Sequence, residues 1–323
     1  MSVAIVGSLG FDSIRTPAGA VERELGGAAA HAALAASLFT EVELVAAVGG
    51  DFGRWQYETL ESHEIKTDEI LRVAGERSFA WSGGYDDELS LTHSVRETPT
   101  VLDSWRPWLG LAARGADILL LSAMDPEVQQ RVRGQWAGDG LVAVDSKTSW
   151  ITTKRPALIE LISSADIVFL NGREARALTG KPLVLEAAYQ VRAWGPRAVV
   201  LKLAEHGYAV LHEDGYFSVP CHALEDIRDP TGTGSAFAGG VLGYLDLVPE
   251  NELNLALLRQ AVSYGAAVAS FCAEALGTRR LTALTEFEVM RRAADFKPIT
   301  HLESEPVAAP EREAAEPELS LVQ

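Results

Sequence analysis

Short apolar runs alternate with helical patterns along the part of the chain that follows Trp105. The apolar runs are ADILLLSAM, LVAVDS, DIVFLN and AVVLKL, and the segments between them include PEVQQRVRGQWA and KRPALIELISSA. Apolar runs of this length are typical of strands buried on both faces, and parallel strands need helical crossovers between them. The alternation therefore predicts an α/β fold with a mainly parallel central sheet between two layers of helices.

The first part of the chain adds to this pattern and then departs from it. Residues 3–8 (VAIVGS) are a predicted strand, and residues 42–53 (VELVAAVGGDFG) are a second strand with its exit turn. Residues 26–39 (GGAAAHAALAASLF) are a predicted helix opened by two glycines. Residues 69–97 instead contain short β-like stretches between polar turns. We therefore expect a small antiparallel sheet, inserted mainly from residues 69–97, in a domain that covers residues 1–301.

Composition limits the partners and the location of this domain. A net charge of −17 argues against a nucleic-acid surface, although an ATP phosphate site needs only local N–H groups and a cation. The two cysteines, Cys221 and Cys272, lie far apart in apolar surroundings and predict a reduced, cytoplasmic protein. No run of membrane-spanning length and no signal peptide are expected. The acidic tail, residues 302–323, is predicted to be disordered.

A glycine-rich turn precedes an apolar helix at residues 229–240, DPTGTGSAFAGG. Gly232, Thr233 and Gly234 come directly before a helix that is predicted to begin near Ser235. Glycines allow close approach of a ligand, and the free N–H groups of a first helical turn favour an anion. The spacing alone fits an ordinary loop into a packed helix equally well. It is not the phosphate-binding loop of the Gly-Lys-Ser/Thr type, and GSLGFD near the N-terminus is not a dinucleotide motif.

Taken together and in order, these motifs resemble the PfkB/ribokinase family of ATP-dependent carbohydrate and nucleoside kinases. GGAAAHAALAASLF is similar to the family's di-glycine signature, NGREA to its N-x-x-E motif, and DPTGTGSAFAGG to its D-T-x-G-A-G-D signature. FDSI, AWSGGY and ASFCAEALG are most similar to the adenosine-kinase-like sugar kinases of bacteria. The resemblance implies a ribokinase-like three-layer fold with a β lid, ATP and Mg²⁺ as cofactors, and a sugar or nucleoside as substrate. It also implies that a homodimer could form through the lid.

The resemblance assigns the substrate site to the N-terminal motifs. Asp12, expected at the end of the first strand, matches the acid that holds sugar hydroxyls, and Gly26 and Gly27 match the pair against which the sugar lies. His31 stands where many members have an asparagine that contacts the sugar. A turn or helix-cap role for Asp12, and an ordinary core role for His31, are the structural alternatives.

The nucleotide side is assigned in the same way. Asn171 and Glu174 match the motif that organises Mg²⁺, with Glu174 acting through water, although a helix-start Asn with a solvated Glu would look the same. Lys202 and Gly207 match retained positions beside the nucleotide. Ala204 departs from the pattern, because many members have glycine there.

The most consequential departure falls at Ser235, which occupies the position of the family's catalytic aspartate. Gly232, Thr233 and Gly234 match the anion hole, and Asp229 matches the signature's first acid, for which the resemblance implies a mainly structural role. A serine hydroxyl cannot act as a base near neutral pH without activation. Two functions therefore stay open: a kinase that is slow or uses another base such as Asp229 or His31, and a pseudokinase that binds ligands without turnover.

Overall fold

Two sheets organise the chain in this computed structural model, which describes residues 2–248 and 252–297. The predicted acidic tail, residues 302–323, lies outside the described residues. The strands of the described part are β1 (Ser2–Val6), β2 (Gly10–Thr16), β3 (Gly19–Gly26), β4 (Glu41–Gly49), β5 (Ile65–Lys66), β6 (Ile70–Val73), β7 (Phe79–Tyr85), β8 (Leu91–Arg96), β9 (Ile118–Leu121), β10 (Leu141–Asp145), β11 (Ile167–Asn171), β12 (Ala198–Lys202), β13 (Tyr208–His212) and β14 (Gly215–Val219).

Helices connect most of these strands. The α-helices of the described residues are α1 (Ala28–Ala36), α2 (Arg54–Glu61), α3 (Val101–Ser104), α4 (Leu111–Arg114), α5 (Pro126–Arg133), α6 (Thr148–Thr153), α7 (Arg155–Ser163), α8 (Gly172–Thr179), α9 (Val184–Arg192), α10 (Thr233–Leu247), α11 (Leu255–Cys272) and α12 (Glu286–Ala294).

The larger sheet has ten strands in the order β14-β13-β12-β11-β10-β9-β1-β4-β5, with β6 also paired to β4. The pairs from β12 to β5 are parallel, and β13 and β14 are antiparallel additions at one edge. The structure therefore confirms a mainly parallel central sheet. Since the carboxyl ends of parallel strands meet at one edge of a sheet, Asp145, Asn171 and Lys202 end adjacent strands on the same side.

Two hydrophobic cores lie on opposite faces of this sheet. Along β1, Val3 and Ile5 pack into the core shared with α1, α10 and α11, whereas Ala4 and Val6 pack into the core shared with α5, α7, α8 and α9. Alternate residues of a strand point to opposite faces, so a strand covered by helices on both faces must be apolar throughout. This requirement explains the continuous apolar runs of the sequence.

The smaller sheet differs from the sequence prediction in its origin. Its order is β3-β2-β7-β8, so residues 10–26 supply two of its four strands. Residues 70–73, expected in this lid, instead form β6 and pair with β4 of the central sheet. The segment from residue 10 to residue 26 was missed because β2 has a buried Asp12 and an exposed Arg15, which breaks the usual strand patterns. Asp12 accordingly lies within β2 rather than at the end of β1.

The prediction that no apolar run reaches membrane-spanning length is wrong for helix α11. Its 18 residues have a mean hydropathy of 1.3, which meets the criterion for a candidate span in the described chain. However, 67% of this helix is buried inside the protein, where it packs against α10, β13 and β14. Such burial is typical of a core helix, which needs an apolar sequence for the same physical reason.

The helices α1 and α10 cross in direct backbone contact. A Cβ atom at Gly239 would overlap the carbonyl oxygen of Ala32, and one at Gly243 would lie 2.8 Å from the carbonyl oxygen of Ala36. All the residues of α1 from Ala29 to Ala36 are buried, and most of them are alanine. Small side chains on both helices therefore set a short interhelical distance, and the N-termini of the two helices meet at one end of the crossing.

We predict that Gly239→Ala lowers the free energy of unfolding by about 1–3 kcal/mol, because the added methyl group must push α10 away from α1. Urea unfolding measures this change. Gly134→Ala is the matched control, since a Cβ there would meet its nearest atom, the Gln130 carbonyl oxygen, at an ordinary 3.5 Å. Equal stability losses in the two variants would contradict the importance of this crossing.

Candidate active site

A cleft of about 960 Å³ lies between the lid sheet and the carboxyl ends of the central strands. Ligands of open α/β sheets bind at this edge. The cleft brings together eight of the residues predicted from the sequence: Asp12, Gly27, His31, Asn171, Lys202, Gly232, Gly234 and Ser235. The other five, which are not among its lining residues, are Gly26, Glu174, Gly207, Asp229 and Thr233.

Asp12 enters the cleft from β2 and rests on the N-terminus of α1. Its Oδ2 atom accepts a hydrogen bond of 3.1 Å from the Gly27 N–H, and a Cβ atom at Gly26 would overlap the carboxyl group. The two glycines therefore make room for Asp12 in the described structure. Burial raises the pKa of the Asp12 carboxyl above its ordinary value of 3.8, and the electrostatic interaction with His31 and the Gly27 hydrogen bond only partly offset this effect.

His31 lies one helical turn further along α1 and is only 1% exposed. Its Nδ1 atom is 3.0 Å from the Gly27 carbonyl oxygen, whereas Nε2 is buried and has no hydrogen-bond partner in the described residues. The ring lies against Gly232, because a Cβ atom there would overlap the imidazole atoms Cδ2 and Nε2. His31 thus connects the N-terminus of α1 to the glycine-rich turn.

Asp229 stabilises the glycine-rich turn through its side-chain oxygens. This side chain is fully buried, and its two oxygens accept hydrogen bonds of 2.8 Å from the N–H groups of Thr231 and Gly277. Gly232 is the N-cap of α10 with φ 77°, a left-handed conformation that favours glycine. The Thr233 hydroxyl donates to the Pro230 carbonyl oxygen at 2.9 Å and so serves the turn itself.

Ser235 lies in the first turn of α10, at the mouth of the cleft. Its hydroxyl makes no hydrogen bond within the residues that the structure describes, and its backbone N–H donates to the Gly232 carbonyl oxygen at 3.0 Å. The N-terminal end of α10 also carries the positive end of the helix dipole. The turn can therefore bind an anion, but Ser235 itself supplies no carboxylate.

Charged residues line the opposite wall, where the central strands end. Lys202 Nζ donates to Asp145 Oδ1 at 2.8 Å, and Asp145 is buried. A Cβ atom at Gly234 would lie 3.4 Å from Lys202 Nζ, so this ammonium group sits beside the glycine-rich turn. The lysine can therefore reach an anion bound at α10 while Asp145 limits its movement.

Asn171 and Glu174 form a capping box at the start of α8. The Asn171 side chain accepts from the Glu174 N–H at 2.8 Å, and the Glu174 carboxyl accepts from the Asn171 N–H at 2.9 Å. Burial raises the pKa of Glu174, and the nearby charge of Lys202 lowers it in part. Glu174 is therefore buried beside the cleft. It is not solvated, contrary to what the structural alternative in the sequence analysis predicted.

Comparison with known proteins now identifies the family. Residues 119–284, slightly more than half of the chain, match the family described as pfkB family carbohydrate kinase. The chain belongs to the PfkB family. The chain is also 32% identical over 258 residues to a cytidine kinase of Thermococcus kodakarensis, an alignment that covers 76% of this chain and 88% of the relative.

Solved structures agree with the PfkB assignment at the level of the fold. The nucleoside kinase of Burkholderia thailandensis in complex with inosine superposes with a TM-score of 0.75 at 18% identity, covering 91% of this chain and 97% of the other. Aminoimidazole riboside kinase from Salmonella enterica, complexed with aminoimidazole riboside and an ATP analogue, gives 0.71 at 18% identity, covering 91% and 100%. The predicted ribokinase-like α/β fold is confirmed.

Ala204, where the sequence departs from the PfkB pattern, adopts a left-handed conformation. Its φ is 52°, which glycine adopts without strain and alanine does not. Gly207 has φ 88° and passes so close to Val219 that a Cβ atom would overlap the Val219 carbonyl oxygen. In this structure both residues shape the turn after β12 rather than the wall of the cleft.

Sequence reasoning missed several residues of this PfkB site. Asp145, like Asn171 and Lys202, is a polar residue at the end of an apolar strand, and that signal could have revealed it. Tyr85, at the end of β7, hydrogen-bonds to the Thr231 hydroxyl at 3.0 Å and so connects the lid to the glycine-rich turn. No local pattern marks Tyr85, because its partner is 146 residues away in the chain.

We predict that Asp12→Asn raises the free energy of unfolding at pH 8 by about 0.5–2 kcal/mol. Burial raises the pKa of Asp12 in the folded state, so its ionised form destabilises the fold above that pKa. Asparagine keeps an oxygen that can accept from the Gly27 N–H. The penalty disappears as the pH falls below 3.8, where the carboxyl is neutral in both states.

Denaturant unfolding across this pH range measures the effect. Asp87→Asn is the control, because Asp87 is exposed on the lid turn. A stability gain at Asp12 that does not shrink as the pH falls would show that desolvation is not its cause.

Proposed function

We propose that this protein is an ATP- and Mg²⁺-dependent kinase that phosphorylates a hydroxyl group of a nucleoside. One observation carries this proposal. A buried carboxylate, Asp12, and the N-terminus of α10 face the same cleft, with the Gly27–His31 segment of α1 between them. A hydroxyl donor and a phosphate group bound at these two places would be neighbours.

A nucleoside is favoured over a simple sugar for two reasons. The similar proteins include kinases named for cytidine and for aminoimidazole riboside, and one solved structure holds inosine. In addition, the cleft is lined by the aromatic side chains of Phe79, Trp81 and Trp150, which offer ring faces against which a base could stack. Sugar hydroxyls would donate to Asp12, since an ionised carboxylate is an acceptor only.

The residues of the cleft also fit a bound nucleotide with Mg²⁺. The first-turn N–H groups of α10 and the Lys202 ammonium group would hold the transferred phosphate, because both attract an anion. In the described ranges, no group of three or more His, Cys, Asp or Glu side chains could hold a metal ion directly. Asn171, Glu174 and Asp145 would therefore orient the waters of Mg²⁺, which commonly keeps several of them, and the ion would neutralise phosphate charge.

Phosphoryl transfer depends mainly on positioning and charge neutralisation, because its transition state is thought to be loose. A general base adds about 10²–10⁴-fold. The serine at position 235 is therefore compatible with a working kinase, and we expect such an enzyme to act in the cytoplasm, where ATP is available.

A homodimer that forms through the lid stays a prediction. Leu91 and Val95 of the edge strand β8 are 52% and 55% exposed, so this edge offers apolar side chains for such a contact.

The test is a phosphotransfer assay with ATP, Mg²⁺ and a panel of nucleosides and pentoses. We expect at least one nucleoside to be phosphorylated at roughly 1 per second or faster, as is usual for kinases, and chelation of Mg²⁺ to abolish this activity. Asp12→Asn should lower kcat/KM roughly 10- to 100-fold while the fold stays intact, because a charged hydrogen bond to the substrate is lost. Asp87→Asn should leave it unchanged.

The pseudokinase alternative makes the opposite prediction. Nucleosides or ATP would then raise the melting temperature without any transfer of phosphate. This result would contradict the proposed activity while leaving the binding site in place.

A further inference from the structure

We propose that His31 accepts the proton of the attacking hydroxyl, through Nε2, and so acts as the general base of the phosphotransfer. This inference rests on the proposed kinase function. It assigns a catalytic role to a side chain that the family resemblance connects only with contact to the sugar. Four features of the structure carry it: the tautomer of His31, the position of Nε2, the nearby charges and the state of the other carboxylates.

The hydrogen bond to the Gly27 carbonyl oxygen fixes the tautomer. A carbonyl oxygen can only accept, so Nδ1 of His31, 3.0 Å away, must carry the proton that is donated. In the neutral imidazole the second nitrogen then has a free electron pair. Nε2 is therefore ready to accept a proton, and the helix backbone holds the ring in that orientation.

Nε2 of His31 lies between the Asp12 side of the cleft and the start of α10. It is buried without a hydrogen-bond partner among the described residues, and it faces Gly232 at the start of α10. Buried nitrogen atoms normally have a hydrogen-bond partner. We infer that a ligand hydroxyl supplies the donor for Nε2. A hydroxyl held at Asp12 that attacks a phosphate at α10 would lie on the wall of the cleft that His31 lines.

The nearby charges favour protonation of the ring during the reaction. Asp12 on β2 interacts electrostatically with His31, and Asp229, before α10, is a second carboxylate close to Asp12. Lys147, after β10, is a cation that also interacts electrostatically with Asp12. The carboxylates would stabilise the imidazolium that forms when Nε2 takes a proton. A neighbouring carboxylate stabilises the catalytic histidine of other enzymes in the same way.

The other candidate bases are already engaged. Both oxygens of Asp229 accept backbone N–H groups, and the side chain is fully buried. Glu174 caps α8, and Asp145 is paired with Lys202. Ser235 has no side-chain partner among the described residues that could activate its hydroxyl.

The step balances without any further reactant. The acceptor oxygen forms a bond to the γ-phosphorus of ATP while its proton moves to Nε2 of His31. The bond between the γ-phosphorus and the bridging oxygen breaks, and its electron pair leaves with ADP. His31 returns its proton to solvent when the lid opens and the products leave.

The test compares four proteins: wild type, His31→Asn, Ser235→Asp and the double variant. Asparagine can still donate to the Gly27 carbonyl oxygen but offers no acceptor at the position of Nε2. We expect His31→Asn to lower kcat about 10²–10⁴-fold with little change in the nucleoside KM. Ser235→Asp should restore most of this loss in the His31→Asn background, yet add much less to the wild type, because two bases at one hydroxyl are redundant.

The pH dependence of kcat/KM separates a base from a positioning residue. Imidazoles ordinarily titrate about two units above carboxylates, so the acidic limb of the profile should move to lower pH in the double variant than in wild type. A structural role for His31 would not move this limb. Melting curves of the four proteins confirm that each is folded.

Three results would overturn the inference. The first is a His31→Asn variant with wild-type kcat, which leaves the kinase function standing. The second is a loss of activity that Ser235→Asp does not repair, with an unshifted pH profile, which would make His31 a positioning residue. The third is a wild type that transfers no phosphate to any acceptor of the panel, which would end both the kinase function and the role of His31.

Discussion

The close crossing of α1 and α10 is the constraint on which the rest of the site depends. Backbone contact at Gly239 and Ala32 leaves no room for side chains larger than those present. Because helices are stiff, this contact fixes where their N-termini lie, and it places His31 against Gly232. Packing therefore brings the N-terminus of α1, where the Gly27 N–H holds the Asp12 carboxyl, next to the glycine-rich turn at the start of α10.

The same arrangement places charges where they cost stability. Burial raises the pKa values of Asp12 and Glu174, and Asp145 is buried with Lys202 as its partner. A buried ion pair contributes little net stability, since desolvation offsets most of its attraction. The apolar cores on both faces of the sheet must supply the stability that these groups remove. Buried charges that cost stability in this way are typical of functional sites, which agrees with the ligand-binding role proposed for this cleft.

The sequence predicted features that depend on local pattern. Strands β9 to β12 were predicted from continuous apolar runs, and the glycine-rich turn was predicted from its spacing before a helix. Features that depend on distant partners were missed. Asp145 is 57 residues from Lys202, and Tyr85 is 146 residues from Thr231. The strands β2 and β3 were also missed, because β2 is largely buried and yet carries the polar residues Asp12, Ser13 and Arg15.

The serine at position 235 and the imidazole at position 31 bear on one physical problem, the placement of a proton acceptor beside a phosphate. A carboxylate at the mouth of α10 would lie beside a bound phosphate, and the two negative charges would repel each other. A neutral imidazole accepts a proton without that repulsion, and once protonated it attracts the transferred phosphate. Since the ring lies directly against Gly232 of the glycine-rich turn, the imidazole would be near both the acceptor hydroxyl and the phosphate. In the proposed mechanism, the proton acceptor on α1 would therefore preserve the charge balance of the site without a carboxylate on α10.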